Sequence, residues 1–150
     1  MASRIPDVLA ALVTLASGPG VLPGVQVTDG VPVSDAQNPE WVLVGFAGDP
    51  DGDFEAAQTA GGWSDLATGR EEQFTVPVAV VVLRAADQIS AARARAYEIA
   101  GVLEQQLRAA PSLGLPSLEA AIDGTVLVQE QMTTGIRVRL VLTIAGRGFT

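Results

Sequence analysis

Residues 74–87 read FTVPVAVVVLRAAD, and this stretch decides the fold of the chain. Its apolar run covers about ten residues, roughly half of what a helix needs to cross a bilayer, so we expect no membrane span here. The even-numbered residues from Phe74 to Val82 are all apolar and line one face of a strand, whereas odd-numbered residues such as Val81 line the other. We predict a strand covered on both faces, by helices on one side and by neighbouring protein on the other. Because Pro77 cannot donate a backbone hydrogen bond, it indicates an edge position or a bulge near the start of the strand.

The sequence on either side supplies two helices and four more strands. Apolar residues at helical spacing predict helices over about residues 5–17 and 90–109, the second capped by Ser90 and stopped by Pro111. Alternating patterns predict strands at residues 25–28, 40–47, 125–132 and 136–149, with a hairpin turn at residues 133–135. Residues 48–70 and 112–124 are predicted to be loops. The order predicts one α+β domain over residues 1–150, with a single mixed or antiparallel sheet of about five strands and both helices on its apolar face.

The composition excludes the enzyme mechanisms and metal sites that depend on cysteine or histidine. The chain has no cysteine and no histidine, so it offers no disulfide framework, no zinc site of the usual kind, no thiol nucleophile and no imidazole base. Ser64 therefore has no base to activate its hydroxyl, and the pair Glu71–Glu72 is typical of a solvated strand end. The net charge of −8, with nine arginines and no lysine, argues against a phosphate-binding surface. We expect no catalytic residue and no cofactor.

The acidic stretch GDPDGDFE, residues 48–55, is the first candidate binding site. Asp49, Asp51 and Asp53 have the alternate spacing of a calcium-binding loop. The match fails at the sixth position, where Phe54 stands in place of Gly, and at the twelfth, where Ala60 stands in place of Glu. We therefore predict a solvated acidic loop, with no metal.

Two tryptophans and two arginines are candidates for a different kind of site. Trp41 opens an apolar strand and is predicted to lie in the core, whereas Trp63 lies in the long loop. Trp63 would either anchor an interface, since tryptophan dominates binding hot spots, or pack locally within its loop. Arg137 and Arg139 alternate with aliphatic residues in the last strand, so they would either face solvent or pair with a neighbouring subunit.

Three segments together resemble the tail terminator proteins of long-tailed bacteriophages, particularly those of actinobacterial hosts. The chain has a short N-terminal helix followed by the segment PGVQVTDG, residues 23–30. It has the segment REEQF, residues 70–74, leading into the apolar strand, and an alanine-rich helix that ends in LRAAPSLG, residues 107–114. Its last strand alternates arginines with aliphatic residues. The resemblance covers nearly the whole chain, apart from the acidic and alanine-rich stretch from Asp49 to Gly61.

The resemblance implies a virion structural protein located where the tail meets the neck and assembled in the host cytoplasm. It implies a homo-oligomer, a hexameric ring on the tail tube, whose partners are the major tail tube protein and a head-side neck or stopper protein. In that family the ring ends tube polymerisation and provides the surface for head docking, while genomic DNA passes through the lumen without specific binding. The candidate contacts with another subunit or with the tube are Trp63, Phe54, Arg70, Glu71, Arg137, Arg139 and Val81.

Two alternatives stay open at this point. A head-side adaptor or stopper of the neck belongs to the same class of protein and differs in its position. A small-ligand-binding protein or carboxylate-dependent enzyme belongs to another class, for which the sequence offers only the acids between Asp49 and Glu55.

Overall fold

The computed structural model describes residues 3–32, 38–65 and 69–149, with the backbone alone described for residues 62–65 and 69. These residues form one mixed sheet with two helices, which confirms the predicted α+β class. The sheet has six strands, one more than expected. In chain order the elements are α1 (Ile5–Ala16), β1 (Gln26–Asp29), β2 (Glu40–Val44), β3 (Gln58–Asp65), β4 (Gly69–Arg84), α2 (Ile89–Ala109), β5 (Leu118–Met132) and β6 (Gly135–Phe149).

Three long antiparallel strands form the body of the sheet, in the order β4, β6, β5. The hairpin predicted at residues 133–135 joins β5 to β6, and Gly135 takes a φ of +150° there. A side chain at Gly135 would collide with the carbonyl oxygen of Arg84, so this turn requires glycine. Strand β5 begins at Leu118, inside the stretch predicted as a loop. The dipeptide Asp123-Gly124 reads as a turn signal, but the strand accommodates it as a β-bulge between Ile122 and Gly124.

Strands β2 and β3 follow one another along the same side of β4. Strand β2 pairs with residues 78–82 of β4, and β3 pairs with residues 69–75. The prediction of a loop over residues 48–70 was therefore wrong for Gln58–Asp65, whose Gly- and Ala-rich sequence gives no alternating signal. The short strand β1 extends the sheet beyond β2 in parallel.

Pro77 lies in a central strand, so the predicted edge position was wrong. It pairs with Thr143 of β6 on one side. On the other side its carbonyl oxygen accepts a hydrogen bond from the Gly45 backbone nitrogen at 2.8 Å, just where the partner of β4 changes from β3 to β2. The N–H and C=O groups of one strand residue point to the same side of the strand. The position where Pro77 lacks an N–H therefore faces the gap between β3 and β2, so no hydrogen bond between neighbouring strands is lost there.

Both helices pack on one face of the sheet, as predicted, and we call this the helix-covered face. The buried side chains of α1 are Val8, Leu12 and Ala16, and α2 contributes an apolar stripe around Ile99. The even-numbered apolar residues of β4 and β6 meet them there, and full burial of one such valine contributes about 1.5–3 kcal/mol. Helix α2 begins at Ile89 after Gln88, so Ser90 is inside the helix and is not its cap.

Candidate functional site: the second face of the sheet

The second face of the sheet, opposite the helices, carries a separate apolar cluster. Its buried members are Trp41, Leu43, Phe46, Ala79 and Val81. Trp41 is 8% exposed, which confirms its predicted place in the core, and its indole nitrogen donates to the backbone carbonyl of Asn38 at 2.7 Å. These residues come from β2, β4 and the start of the segment that follows β2, so the cluster lies over one half of the second face.

Residues 46–55, which we call the crossing segment, cover this half of the second face. Gly48 lies so close to the sheet, with a φ of +82°, that a Cβ there would come within 2.7 Å of Arg139 Cδ and 3.2 Å of the Ala79 Cβ. Further along, the ring of Phe54 stacks on Phe46 with centroids 5.5 Å apart. Val81 is only 4% exposed. Ala79 and Val81 of β4 are therefore buried on the second face, and the expected cover by neighbouring protein at Val81 is replaced by residues of the same chain, whereas Gln73 and Thr75 of β4 lie on the half of this face that stays open.

Two arginines of β6 hold the crossing segment to the sheet. Arg139 Nη1 donates to the Ala47 carbonyl oxygen at 2.9 Å, and Arg137 Nη2 donates to the Gly48 carbonyl oxygen. Both guanidinium groups also pair with Glu130 of β5, at 3.2 Å from Arg139 and 3.4 Å from Arg137. Their side chains are only 10% and 16% exposed. The predicted solvent-facing arrangement is therefore wrong for these arginines, and the ion pairs seen here are made within the chain.

Two of the four acids of the crossing segment, Asp49 and Asp53, accept hydrogen bonds from its own backbone. Asp49 Oδ1 accepts from the Asp51 nitrogen at 3.0 Å, and Asp53 Oδ1 accepts from the Glu55 nitrogen at 3.2 Å. Such bonds stabilise tight turns and need no cation. In the part of the chain that the structure describes, no group of three or more acidic side chains is arranged to hold a metal ion.

The other half of the second face is open. The side chains of Ala121 and Val126 in β5 are exposed there, the latter by 60%, and Val141 and Ala145 of β6 are half-buried. A groove of about 640 Å³ runs over this end of the sheet. The second-face residues that line it are Gln58, Ala60, Gln73, Thr75, Glu119, Ala121, Ala145 and Arg147. Four of these eight side chains are alanine or threonine, and the other four are the longer, polar side chains of Gln58, Gln73, Glu119 and Arg147.

Of the remaining candidate contacts, Glu71 lies beside the groove, whereas Arg70 lies on the helix-covered side of the sheet. Phe54 is 58% exposed on the crossing segment. Glu71 is 3.9 Å from Arg147, which also pairs with Glu119 at 2.8 Å. The guanidinium of Arg70 lies across Gly61 of the neighbouring strand β3, where any side chain larger than glycine's would collide with it. The backbone of Trp63 pairs with Arg70 in the β3–β4 ladder, but its side chain lies outside the described residues.

A network of ion pairs that joins β2, β4 and α2 on the helix-covered face was not predicted from the sequence. Glu40 accepts from Arg84 at 2.6 Å and from Arg95 of α2 at 2.9 and 3.0 Å. Partial burial alone would raise the pKa of the Glu40 carboxyl, but the hydrogen bonds and charges of the two arginines outweigh it and lower that pKa. The hydrogen bonds that Arg95 donates to Glu40 raise the pKa of Arg95 in turn. Separations of 44 and 55 residues hide such a network from any local pattern.

Comparisons with known proteins add no identification: neither the protein-family models nor the curated proteins searched contain a match to this chain. None of the helices in the described residues is long and apolar enough to cross a membrane.

Proposed function

We propose that this protein is a structural component of a phage virion that forms a ring, hexameric in the family it resembles, at the head-proximal end of the tail tube. The ring ends polymerisation of the tube and presents a docking surface for the head. The resemblance of three segments, together covering nearly the whole chain, is the source of this assignment. The virion location, the major tail tube protein and a head-side neck protein as partners are parts of the same proposal.

One structural observation supports it more than any other. The sheet has two unlike outer surfaces, a helix layer on one side and a half-open second face on the other. A subunit with two different surfaces suits a head-to-tail arrangement, and such an arrangement closes into a ring when the rotation between neighbours permits.

The charge of the chain suits a conduit for DNA. With a net charge of −8 for each copy, a ring of six would repel duplex DNA from an acidic lumen wall. Four of the nine arginines have side chains no more than 25% exposed and pair with a carboxylate on β2 or β5: Arg84, Arg95, Arg137 and Arg139. They are thereby withdrawn from phosphate binding, so DNA would slide through without specific contacts.

The length distribution of tails, measured by electron microscopy on particles produced without this protein, tests the proposal. Overlong tails of variable length without heads are the expected result, because nothing would then stop tube growth. Tails of normal length beside separate DNA-filled heads would move the protein to the joining step, as a neck adaptor or stopper. Normal virions would rule out a structural role in the particle.

A further inference from the structure

Strand β5 leaves part of its outer edge unpaired. A turn of two residues makes Met132 and Gly135 a hydrogen-bonded pair, so alternate residues back along β5 direct their N–H and C=O groups away from β6. Thr125 and Leu127 are two of these outward residues. Among the residues that the structure describes, no other backbone group hydrogen-bonds to their outward groups.

Both ends of this edge are covered. Nearer the start of β5, the Ala120 nitrogen donates to the Pro111 carbonyl oxygen at 2.8 Å. Nearer the turn, the Gln129 side chain accepts from Arg93 of α2 at 3.3 Å. The open part between them is residues 124–128, which we call the β5 edge segment.

The β5 edge segment lacks the usual protection of an edge strand. Its sequence, GTVLV, contains no charged residue and no proline, and Val126 is 60% exposed. Natural edge strands are commonly blunted by charges, prolines or a bulge, and the bulge of β5 ends where this segment begins. The segment is therefore a template on which another extended strand can pair.

Strand β3 offers a second open edge on the opposite side of the sheet. The odd-numbered residues of β4 direct their backbone groups to this side, as the hydrogen bonds of Pro77 and Leu83 show. The β3 residues opposite them point inward, so Thr59 and Gly61 direct their N–H and C=O groups outward. Residues 58–62, which we call the β3 edge segment, read QTAGG and contain neither a charge nor a proline.

We propose that the β5 edge segment pairs with the β3 edge segment of a second copy of this chain, as antiparallel neighbours. Thr125 faces Gly61 of the other copy, and Leu127 faces its Thr59. Each of these pairs exchanges two backbone hydrogen bonds. The contact is heterologous and uses a different edge on each copy, so it leads to a ring instead of a closed pair. This inference rests on the proposed ring and specifies its subunit contact.

A second copy is the occupant because one contact then covers both open edges, whereas a foreign strand on either edge leaves the other open. Four strands of alternating direction lie from one edge to the other, in the order β3, β4, β6, β5. Because this number is even, a neighbour's β3 continues the alternation beside β5. Thr125 and Thr59 lie opposite Leu142 and Phe74 of the main core, so both outward sets share the helix-covered face. The helices of joined copies therefore fall on one side of a continuous sheet.

The strand register supplies the stagger that a closed ring needs. Within one copy, Ala60 lies level with Glu119, through Gln73 and Arg147. The contact places a neighbour's Ala60 beside Val126, about six ladder positions further along β5, or about 20 Å. Four strands are about 19 Å wide, so the strands tilt by about 45° to the ring axis, close to the tilt in closed barrels. Ala60 also lines the open groove, so the contact lies at the rim of the groove.

The other edge strand on that side of the sheet, β1, is a poorer partner. It has four residues and ends at the charged Asp29, and both short length and charge protect an edge. Its exposed residue Gln26 therefore provides a control position.

Cysteine cross-linking tests the contact directly, because the chain contains no native cysteine. The variants are Thr59→Cys, Thr125→Cys and the two combined, at exposed positions. The two sites are about 20 Å apart in one copy, but are diagonal neighbours about 7 Å apart across the contact. With a short thiol cross-linker, the double variant is expected to give a ladder of covalent oligomers that ends in a closed ring. A mixture of the single variants gives dimers only, and Thr125→Cys with Gln26→Cys gives no ladder.

A proline variant provides a second measurement that needs no cross-linker. Thr125→Pro removes an N–H that makes no backbone hydrogen bond within the described chain, so the fold is expected to keep its urea midpoint. Self-association, followed by sedimentation, is expected to weaken roughly tenfold or more, because a carbonyl of the neighbouring copy loses its donor. Thr125→Ala is the matched control and keeps the association.

The outcomes separate this contact from the function on which it rests. Oligomers that form without cross-links between positions 59 and 125 overturn the contact, while the ring itself stands. Covalent dimers from Thr125→Cys alone indicate two-fold pairing of β5 with itself, and a ladder from the Gln26 control indicates pairing with β1, so either result overturns it as well. If Thr125→Pro unfolds, the cross-linking result decides. A protein that stays monomeric at every concentration also refutes the contact, and the tail-length measurement then decides the function on its own.

Discussion

Arg139 and Ala47, 92 residues apart, are joined by a hydrogen bond of 2.9 Å from the arginine Nη1 to the alanine carbonyl oxygen. This bond ties the crossing segment to the second face of the sheet. Arg139 is 8% exposed, and its charge is balanced by Glu130, which it shares with Arg137. A buried guanidinium is tolerated only with such partners, since a buried charge without them is strongly destabilising. The Arg139 Nε is buried without a partner, which makes this position the least satisfied polar group among the described side chains.

Replacing Arg139 by Ala should destabilise the protein by about 2–4 kcal/mol, because the Ala47 carbonyl oxygen and Glu130 lose a buried partner and the crossing segment loses a packing surface. Urea unfolding monitored by tryptophan fluorescence measures this, since Trp41 belongs to the apolar cluster under the segment. The matched control is Arg147→Ala in the same strand, whose side chain is 60% exposed. Its effect should stay below about 1 kcal/mol. Equal effects of the two substitutions would contradict the role given to Arg139.

Gly48→Ala tests how closely the crossing segment approaches the sheet. The added Cβ meets Arg139 Cδ and the Ala79 Cβ, and the φ of +82° is strained for alanine. A loss of roughly 2–4 kcal/mol in the free energy of unfolding is expected from the two effects together. Gly20→Ala is the control for backbone strain alone, since its φ is +74° and no atom lies within 4 Å of the new Cβ. The difference between the two variants, measured by urea unfolding, reports the close contact, and a difference near zero would refute it.

The sequence was sufficient for the parts of this fold that depend on periodicity. Local patterns in the sequence predict the strand that contains Val80, the buried apolar side of α2 around Ile99 and the hairpin at Gly135. The structure confirms all three. Strand β3 was missed because Thr59, Ala60 and Gly61 carry no alternation of apolar and polar residues, and pairing with β4 makes the strand in spite of that. Tertiary pairing overrides weak local preference in such cases.

The second face could not be derived from the sequence for a different reason. Arg137 and Arg139 alternate with aliphatic residues, which is the pattern of a half-solvated strand. The structure buries them because a segment 89 to 92 residues earlier in the chain returns across the sheet and offers two carbonyl oxygens. No local pattern carries that information. The clue in the sequence is the glycine at position 48, which takes a positive φ where the segment meets the sheet.

The Glu40 network makes stability depend on pH in the acidic range. The folded-state pKa of Glu40 is lowered, so its contribution is fully present above the ordinary carboxyl pKa and is lost as the pH falls through the lowered folded-state value. We expect the difference in unfolding free energy between the native protein and Glu40→Gln to be constant from about pH 6 to 8 and to shrink below about pH 4.5. Thermal or urea unfolding across this range measures it. Glu98→Gln, with a side chain 67% exposed, is the control and should show a much smaller change.

Charges placed on the two faces of β5 separate assembly from folding. Ala121 and Gln129 are both exposed residues of this strand, but Ala121 lines the groove on the second face, whereas Gln129 lies on the helix side opposite Val138. Ala121→Glu should leave the unfolding midpoint nearly unchanged and weaken self-association in the proposed ring by about tenfold or more, because burying a charge from this open face against another copy is costly. Gln129→Glu should leave both nearly unchanged.

Val81→Glu completes this comparison. Val81 is 4% exposed and belongs to the apolar cluster of the second face. A charge there should lower the free energy of unfolding by several kcal/mol, so this variant loses stability before any effect on assembly can be measured. Sedimentation and urea unfolding on all three variants therefore give three different results: Ala121→Glu is folded and less associated, Gln129→Glu is folded and associated, and Val81→Glu is destabilised. If Ala121→Glu assembled like Gln129→Glu, the groove would not be a contact between copies. If Val81→Glu were as stable as the native protein, Val81 would not be buried in the apolar cluster of the second face.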